Sequence, residues 1–104
     1  MTLEEYQAAV DMFDCHPEDA KLYAHALGLC EEAGEVAGKL CKAHRKQAEH
    51  DRDDLIMELG DVIWRTVALC NFLEVSMRDV MKANFDKLTA RKAAGTIIGE
   101  GDHR

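Results

Sequence analysis

The sequence predicts an all-α fold, with four helices in a single domain spanning residues 1–104. Apolar residues recur at three- and four-residue spacing over long stretches, whereas the alternation typical of strands is rare. The only proline, Pro17, lies near the beginning of the chain, so nothing interrupts the later helices. At this length a folded chain hides roughly 65% of the surface that its unfolded form exposes. A single core is therefore feasible but thin, and association with another copy would help it.

Two start signals mark the helices in the first half of the chain. Thr2 followed by Glu5 is a capping-box pattern, which predicts a first helix through about Phe13. Pro17 fits a first helical position, and the acidic residues after it favour a helix start there. The second helix can run to about Arg45. Its apolar stripe consists of Leu29, Ala33, Val36 and Leu40.

A polar segment, residues 46–53, separates the second helix from the third. It contains almost nothing apolar and offers Asp51 or Asp53 as the next N-cap. The third helix is predicted from about Asp54 to Phe72. Apolar residues lie on almost every side of this helix, which indicates a helix that is buried on most sides.

A second capping pattern marks the fourth helix. Ser76, with Asp79 three residues later, predicts a helix over about 77–91, and Gly95 ends it. The remaining residues, 95–104, are predicted to form a flexible tail unless a ligand orders them.

The charge balance disfavours binding to nucleic acids. The chain has 13 Lys and Arg against 20 Asp and Glu, a net charge of −7 with neutral histidines. Nucleic-acid affinity depends on Lys and Arg that neutralise phosphates, so an acidic chain is a poor candidate. No apolar run approaches the ~20 residues of a membrane span.

The cysteines and the beginning of the chain favour a cytoplasmic location. The four cysteines are spread singly, without a C-x-x-C pair, and are expected to be reduced, small apolar core residues. No basic stretch precedes an apolar one at the start, so no signal peptide is expected. The five histidines lack metal-ligand spacing and are expected at surface or boundary positions.

Carboxylates on the predicted third helix point to a metal site. Glu58 and Asp61, three residues apart, lie on a helix that is otherwise apolar, where an unpaired charge costs several kcal/mol. Arg65, one turn after Asp61, can compensate one acid. Glu32 and Glu35 lie within about 60° of each other on the second helix, at the border of its apolar stripe.

If the second and third helices pack antiparallel, these carboxylates can converge. The pocket would be lined only by oxygen ligands, which is what Mg²⁺ or Mn²⁺ requires. The alternative is a solvated acidic face held by salt bridges. The predicted metal ligands are Glu32, Glu35, Glu58 and Asp61.

The fourth helix carries a basic edge formed by Asn84, Lys87 and Arg91. Without a nearby acidic partner these donors could hold phosphate oxygens, although they could also be the basic border of a core face. Trp64 and Phe72 could supply a ring on which a base stacks, or could belong to the core. A metal pocket facing a phosphate-binding edge is typical of metal-assisted phosphoryl chemistry.

The carboxylate motifs identify a family resemblance. Glu31–Glu35 followed by Glu58–Asp61 resembles the EExxE…ExxD signature of the MazG-like nucleotide pyrophosphohydrolases, which are all-α. The resemblance covers nearly the whole chain. Three further segments are similar to motifs of that family: Leu3–Gln7, Asn84–Arg91 and the tail Gly99–Arg104.

The resemblance implies a four-helix protomer that forms a dimer or a dimer of dimers. It also implies Mg²⁺-dependent cleavage of nucleoside triphosphates, NTP or dNTP, between the α and β phosphates, a nucleotide-pool housekeeping reaction. Carried over by position, the four predicted ligands would bind Mg²⁺, with Mn²⁺ as a possible substitute. Glu31 would be an outer carboxylate or the base that activates water.

The resemblance also implies which residues bind the substrate. Lys87 and Arg91, with Asn84 and Lys42, would hold phosphate or sugar groups. Many relatives have Tyr one residue after the tryptophan, where this chain has Arg65, which could instead pair with Asp61 or reach a phosphate. Two other interpretations stay open: a non-catalytic Mg²⁺- and nucleotide-binding regulatory bundle, and an acidic helical oligomer whose carboxylates form only salt bridges.

Overall fold

The computed structural model describes residues 1–102, and four α-helices account for most of them. The helices are α1 (Leu3–Val10), α2 (Lys21–Arg45), α3 (Arg52–Phe72) and α4 (Met77–Ala94). Single 3₁₀ turns at Asp11–Phe13 and Glu18–Ala20 connect α1 to α2. The described residues contain no strand, so the all-α prediction and the number of helices are confirmed.

The start signals predicted for α1, α3 and α4 act as hydrogen-bonded caps. The Thr2 hydroxyl accepts from the Glu5 amide at 3.1 Å, and the Glu5 carboxylate accepts from the Thr2 amide at 2.8 Å, which completes the capping box of α1. The side chains of Asp51 and Ser76 cap α3 and α4 in the same way. At the other end of α4, Gly95 has a φ of 72°, a left-handed conformation that glycine adopts without a steric penalty.

Four helix boundaries differ from the prediction by two to four residues. The first helix ends at Val10 rather than at about Phe13, because Asp11–Phe13 wind as a 3₁₀ turn. Residues 18–20 wind as a 3₁₀ turn, so α2 begins at Lys21 rather than directly at Pro17. Because Asp51 is the cap that is used, α3 begins at Arg52. The fourth helix continues past Arg91 to Ala94, where Gly95 stops it.

The helices α2 and α3 pack against each other along their lengths, and α1 crosses onto α3 and α4. A small core of Val10, Val67 and Ala68 lies at this crossing, with Tyr6, Trp64 and Met77 packed around it. The core therefore holds one end of α3 and leaves the other end covered mainly by α2.

Gln7 ties α1 to the turn between α3 and α4. Its side-chain amide donates to Asn71 Oδ1 and to the Val75 carbonyl, both at 2.9 Å, and its Oε1 accepts from the Met77 amide at 2.7 Å. Asn71 returns a hydrogen bond to the Gln7 carbonyl at 3.1 Å. These bonds fix α1 across the end of the α3–α4 pair, beside the small core.

The single chain is more open than a compact monomer of its size. Its radius of gyration is 16.5 Å, whereas a compact chain of this length has about 13 Å. Its accessible surface is 7972 Å², about 2,000 Å² above the ~5,800 Å² typical of a folded monomer of this mass. Many large apolar side chains are exposed. The most exposed large apolar residues of the helices include Tyr23, Leu27, Met57 and Phe85.

The burial predicted for the third helix is wrong for the single chain. The helix α3 was expected to be buried on most sides, but only Val67, Ala68 and Cys70 are buried, because α1 covers one end of α3 alone. A stripe along the other end, formed by Ile56, Leu59 and Ile63, is about half exposed. We call these three residues the α3 stripe.

The cysteines differ from the prediction as well. All four are free, but Cys70 alone is buried, while Cys15, Cys30 and Cys41 are exposed. Cys30 and Cys41 belong to α2, which buries only His25 and Gly28.

Candidate metal centre

Three of the four predicted metal ligands come together between α2 and α3. Glu32 on α2 and Glu58 and Asp61 on α3 each place one carboxylate oxygen within 4.8 Å of the others. The grouping follows from antiparallel packing: Lys39 meets Asp54 near the connecting loop, and Glu32 lies beside Asp61 further from it. We call Glu32, Glu58 and Asp61 the carboxylate cluster.

The charges of the cluster repel one another. Burial and the neighbouring charge of Asp61 raise the pKa of Glu32, with further contributions from Glu31 and Glu58, while Arg65 acts in the opposite direction. A divalent cation would relieve this repulsion, and an all-oxygen donor set suits Mg²⁺ or Mn²⁺. The residues present therefore fit such a metal.

Glu35 and Glu31 lie at the edge of this arrangement. Both side chains are exposed on α2, and Glu35 does not belong to the carboxylate cluster. Glu31 is close enough to influence the pKa of Glu32 through its charge.

Lys39 is a cation of the site that the sequence analysis missed. Its ammonium lies 2.6 Å from Glu58 Oε1 and 2.7 Å from Asp54 Oδ2, and the hydrogen bonds to Asp54 and Glu58 raise its pKa. The available signal was its position seven residues, or two helical turns, after Glu32. Lys39 balances part of the negative charge of the cluster.

Arg65 does not pair with Asp61, which was one of its expected roles. Its Nη2 lies 3.9 Å from Glu32 Oε1, and its Nη1 lies 3.3 Å from Nδ1 of His25. The guanidinium also covers the Trp64 ring, with its carbon 4.9 Å from the ring centroid. The side chain crosses to α2 over Gly28, so the partner of Arg65 lies on the facing helix rather than on its own.

His25 is buried, contrary to its predicted boundary position, with 1% of its surface exposed. Its Nε2 lies 2.7 Å from Asp14 Oδ2, while Asp14 Oδ1 accepts from the His16 amide at 3.0 Å and contacts His16 Nδ1 at 2.9 Å. The available signal was the apolar stripe of α2, which continues back one turn from Leu29 to His25.

The donor atoms of Asp14, His16 and His25 also lie within 4.8 Å of one another. Both histidines already contact the Asp14 carboxylate at hydrogen-bond distance, and Arg65 faces the other ring nitrogen of His25. A metal on Nε2 would move the ring proton to Nδ1, where it would oppose the Arg65 donor. We therefore interpret these residues as a hydrogen-bond network.

The pKa of Asp14 predicts loss of stability in acid. Burial alone would raise this pKa, but hydrogen bonds from His25 and His16 hold it well below the ordinary range. The folded pKa is thus below the unfolded value of about 4, so the stabilisation is present above pH 4 and is lost as the pH falls. We expect the free energy of unfolding, measured in urea, to decrease below pH 4 by up to about 1.4 kcal/mol per pH unit from this group.

The variant Asp14→Asn should remove this part of the acid slope. Asp53→Asn is the matched control, because Asp53 is almost fully exposed and, among residues 1–102, forms an ion pair only with the exposed Arg52, at 3.7 Å. An unchanged slope in Asp14→Asn would contradict the assignment.

The basic edge of α4 has an acidic partner, which the sequence analysis did not expect. Asp102 Oδ1 lies 3.1 Å from Lys87 Nζ and 3.0 Å from Arg91 Nη2, and Arg91 also donates to the Gly101 carbonyl. Hydrogen bonds from Arg91 and Lys87 lower the pKa of Asp102. Only residues 95–102 of the predicted tail are described; His103 and Arg104 lie outside the described residues.

The helix α4 packs against α1, and within residues 1–102 no ion pair joins its basic edge to the carboxylate cluster of the same chain. Within residues 1–102, the ion pairs of Lys87 and Arg91 go to Asp102. Asn84 lines a different hollow, with Leu3, Phe85 and Leu88. Lys42 is exposed near the α2–α3 loop, in a hollow that Lys39 also lines.

Trp64 belongs both to the core and to a groove beside the cluster. Its Nε1 donates to the Val10 carbonyl at 3.3 Å. The same side chain lines an open groove with Tyr6, Phe13 and Asp61. Burial raises the pKa of Tyr6, and the charge of Asp61 adds to the shift, as expected for a phenol close to that carboxylate.

Phe72 does not share the groove beside Trp64. It lies at the other end of α3, in a hollow with Asp11, Asp14 and Lys21. Tyr6 and Phe13 were not predicted as site residues, because they lie far from the carboxylate motifs in the sequence and approach Asp61 only in the folded chain.

Comparison with family models identifies one family for this chain. A family model for the MazG nucleotide pyrophosphohydrolase domain matches residues 22–95. The Gene 37 protein of Mycobacterium phage L5 is 41% identical over 95 residues, which is 88% of this chain and 82% of that protein. The uncharacterized protein YvdC of Bacillus subtilis (strain 168) is 37% identical over 73 residues, 61% of this chain and 68% of that protein. No solved structure gives a significant match, and no described helix is long and apolar enough to cross a membrane.

Proposed function

The chain belongs to the MazG nucleotide pyrophosphohydrolase family, and we propose that it hydrolyses nucleoside triphosphates, NTP or dNTP, between the α and β phosphates. The products would be a nucleoside monophosphate and pyrophosphate, in keeping with nucleotide-pool housekeeping. The observation that carries the proposal is the carboxylate cluster, which places acids from both family motifs within 4.8 Å of one another.

We assign Mg²⁺, with Mn²⁺ as a possible substitute, to Glu32, Glu58 and Asp61. Glu35 would be a further ligand, carried over from the family signature. When bound, the metal would supply a Lewis acid that polarises a phosphoryl oxygen and offsets developing charge. Lys39 would keep its bond to Asp54 when Glu58 turns to the metal.

The chain's own residues would then activate water and hold the leaving group. Glu31, exposed beside the cluster, would accept a proton from the attacking water. The water oxygen bonds to the α-phosphorus, the bond from that phosphorus to the bridging oxygen breaks, and pyrophosphate leaves with the electron pair. Nearby cations would stabilise the charge that develops on it. No covalent bond to the protein is required.

Two groups of residues would bind the substrate. We assign phosphate and sugar contacts to Lys42, Arg65, Asn84, Lys87 and Arg91. Asp102 marks the anion position at Lys87 and Arg91, so a phosphate oxygen would take the place of its carboxylate. The base would stack in the groove of Trp64, Tyr6 and Phe13, which opens beside Asp61.

We further propose that the protein works as a homo-oligomer, a dimer or tetramer. The surface excess of about 2,000 Å² per chain is of the size that obligate interfaces bury. Because α4 lies apart from the carboxylate cluster of its own chain, a second copy could supply Lys87 and Arg91 to the site. The α3 stripe is the apolar surface next to the cluster that such a copy would cover.

One experiment tests the reaction directly. The protein with Mg²⁺ is incubated with a panel of NTPs and dNTPs, and pyrophosphate is measured separately from orthophosphate. We expect pyrophosphate and nucleoside monophosphate in equal amounts. Orthophosphate as the sole phosphate product would overturn cleavage between the α and β phosphates.

Removal of metal should abolish nucleotide binding. Without a divalent cation the acidic cluster repels a triphosphate, whereas a bound cation cancels much of that charge. In EDTA we expect no heat of binding for any nucleotide that binds in Mg²⁺, and full recovery when Mg²⁺ is restored. Undiminished binding in EDTA would contradict the metal assignment.

A non-catalytic nucleotide-binding bundle is the second candidate. It is favoured by the internal charge balance of the cluster, in which Lys39 contacts Glu58 and Arg65 faces Glu32. This candidate predicts Mg²⁺-dependent nucleotide binding without turnover in the same panel.

A further inference from the structure

A chain of contacts connects the buried residue Asp14 to the carboxylate cluster. It runs from Asp14 to His25 at 2.7 Å, from His25 to Arg65 at 3.3 Å, and from Arg65 to Glu32 at 3.9 Å. We propose that Asp14, His25 and Gly28 are positioning residues, which hold Arg65 as the phosphate-binding arm of the metal site. The inference rests on the proposed function in that the ligand of this arm is a Mg²⁺-bound polyphosphate.

Asp14 selects the tautomer of His25. Its carboxylate can only accept hydrogen bonds, so the proton of the neutral imidazole lies on Nε2 and is donated to Asp14 Oδ2. The Nδ1 lone pair is then free to accept from Arg65 Nη1, which can only donate. The hydrogen bonds thus all point the same way: Arg65 donates to His25, and His25 donates to the Asp14 carboxylate.

Arg65 is held mainly by neutral groups and keeps unused donors. The Trp64 ring and His25 fix the guanidinium plane. The Glu32 oxygen, at 3.9 Å, is near enough for charge attraction but too far for a hydrogen bond. Within residues 1–102 the Nη2 of Arg65 makes no hydrogen bond, so its N–H groups are the ones free for a ligand, whereas the unpaired Nε is buried against Gly28. A fixed guanidinium with free N–H groups is suited to binding phosphate oxygens.

Gly28 leaves the space on the surface of α2 in which the Arg65 side chain packs. Gly28 is buried, and a Cβ at this position would overlap the Cζ and Nε of Arg65. Gly34 and Gly38, also on α2, have nothing within 4 Å of the position of a Cβ, so the need for glycine is specific to residue 28.

Asp14→Asn should reverse the donor–acceptor direction of the Asp14–His25–Arg65 hydrogen bonds without changing the shape of the side chain. The His16 amide donates to Oδ1 of residue 14, so it fixes the oxygen of the new side-chain amide on that side. The NH₂ group then faces His25 Nε2, which must become an acceptor, and the ring proton moves to Nδ1. There it opposes the Arg65 donor and releases the guanidinium. His25→Gln is the matched control, because its side-chain amide can donate to Asp14 and accept from Arg65.

The binding test uses inorganic tripolyphosphate with Mg²⁺, which needs no assumption about the base. By calorimetry, we expect Arg65→Met to weaken binding by roughly ten- to a hundredfold, the value of a charge-assisted hydrogen bond. Asp14→Asn and Gly28→Ala should each weaken it by about tenfold, in the range of outer positioning contacts. His25→Gln should bind like the wild type, whereas His25→Leu should resemble Asp14→Asn.

A double-mutant cycle separates positioning from a general structural role. In the Arg65→Met background, Asp14→Asn should cause no further loss of tripolyphosphate affinity, because both act through the same guanidinium. An equal loss in both backgrounds would overturn the proposal, as would a wild-type protein that does not bind Mg²⁺-tripolyphosphate.

The tautomer of His25 can be tested without any ligand. The ¹⁵N chemical shifts of the ring should show the proton on Nε2 in the wild type and on Nδ1 in Asp14→Asn. A proton on Nδ1 in the wild type would overturn the proposal.

The outcomes distinguish this inference from the proposed function. If tripolyphosphate binding and the double-mutant cycle behave as expected but no nucleotide yields pyrophosphate, the proposed function alone fails. If pyrophosphate is released and Arg65→Met binds tripolyphosphate normally, this inference alone fails.

Discussion

Asp61→Asn is expected to reduce the rate of pyrophosphate release by at least about a hundredfold, with the helical content unchanged. Asp61 is exposed and, within residues 1–102, forms no ion pair, so its loss should not disturb packing. The variant removes a charged oxygen ligand of the metal. Because the cation would offset the charge of the reacting phosphates, we expect the loss of this ligand to lower the rate by a factor on the order of 10²–10³. The measurement is pyrophosphate release at saturating Mg²⁺, with circular dichroism of the same sample.

The matched control for this prediction is Asp53→Asn, the same change on the same helix. Asp53 lies in the first turn of α3, outside the carboxylate cluster, so this variant should keep the wild-type rate. Glu58→Gln should show a loss similar to that of Asp61→Asn, and Glu58→Ala and Asp61→Ala should be inactive while still folded. Full activity in a folded Asp61 variant would remove the metal-site assignment.

Leu59→Lys is expected to dissociate the proposed oligomer and to lower its thermal stability. Leu59 is 49% exposed in the protomer, in the middle of the α3 stripe. Burying a leucine side chain contributes about 1.5–3 kcal/mol, and a symmetric interface contains the substitution twice. The dissociation constant should therefore rise by roughly 10²–10⁴. Light scattering coupled to gel filtration would show the mass falling towards that of one chain.

Leu73→Lys is the matched control, since Leu73 is also an exposed leucine but lies past the end of α3, outside the stripe. It should leave the assembled mass unchanged. A wild-type protein that runs as a monomer at all concentrations would contradict the oligomer proposal. Equal dissociation by both variants would show that the α3 stripe is not the specific contact.

The helices could be predicted from the sequence because their signals are local. Thr2 with Glu5, Asp51, Ser76 and Gly95 each act within four residues of their own position, and the structure uses all of them. The convergence of Glu32, Glu58 and Asp61 was also predictable, because a short loop forces α2 and α3 into an antiparallel pair. Family membership followed from the same two motifs, and the comparisons confirm it.

Burial could not be predicted from the composition of one helix. The third helix is apolar on almost every side, yet most of its first half is exposed in the protomer. Conversely, the polar side chain of His25 is buried. Apolar periodicity indicates which face prefers to be covered, but whether it is covered depends on what packs against it.

The sequence by itself determined the four helices, the side-chain caps of three of them, and the two helices that carry the carboxylates. Only the tertiary structure decided how the charged side chains pair: Lys39 contacts Glu58, the Arg65 side chain passes over Gly28 towards Glu32, and Lys87 and Arg91 contact Asp102. The physical reason is the range of the interactions. Caps and helical periodicity act within one or two turns, whereas long charged side chains reach partners on other segments, whose distance the order of residues does not specify.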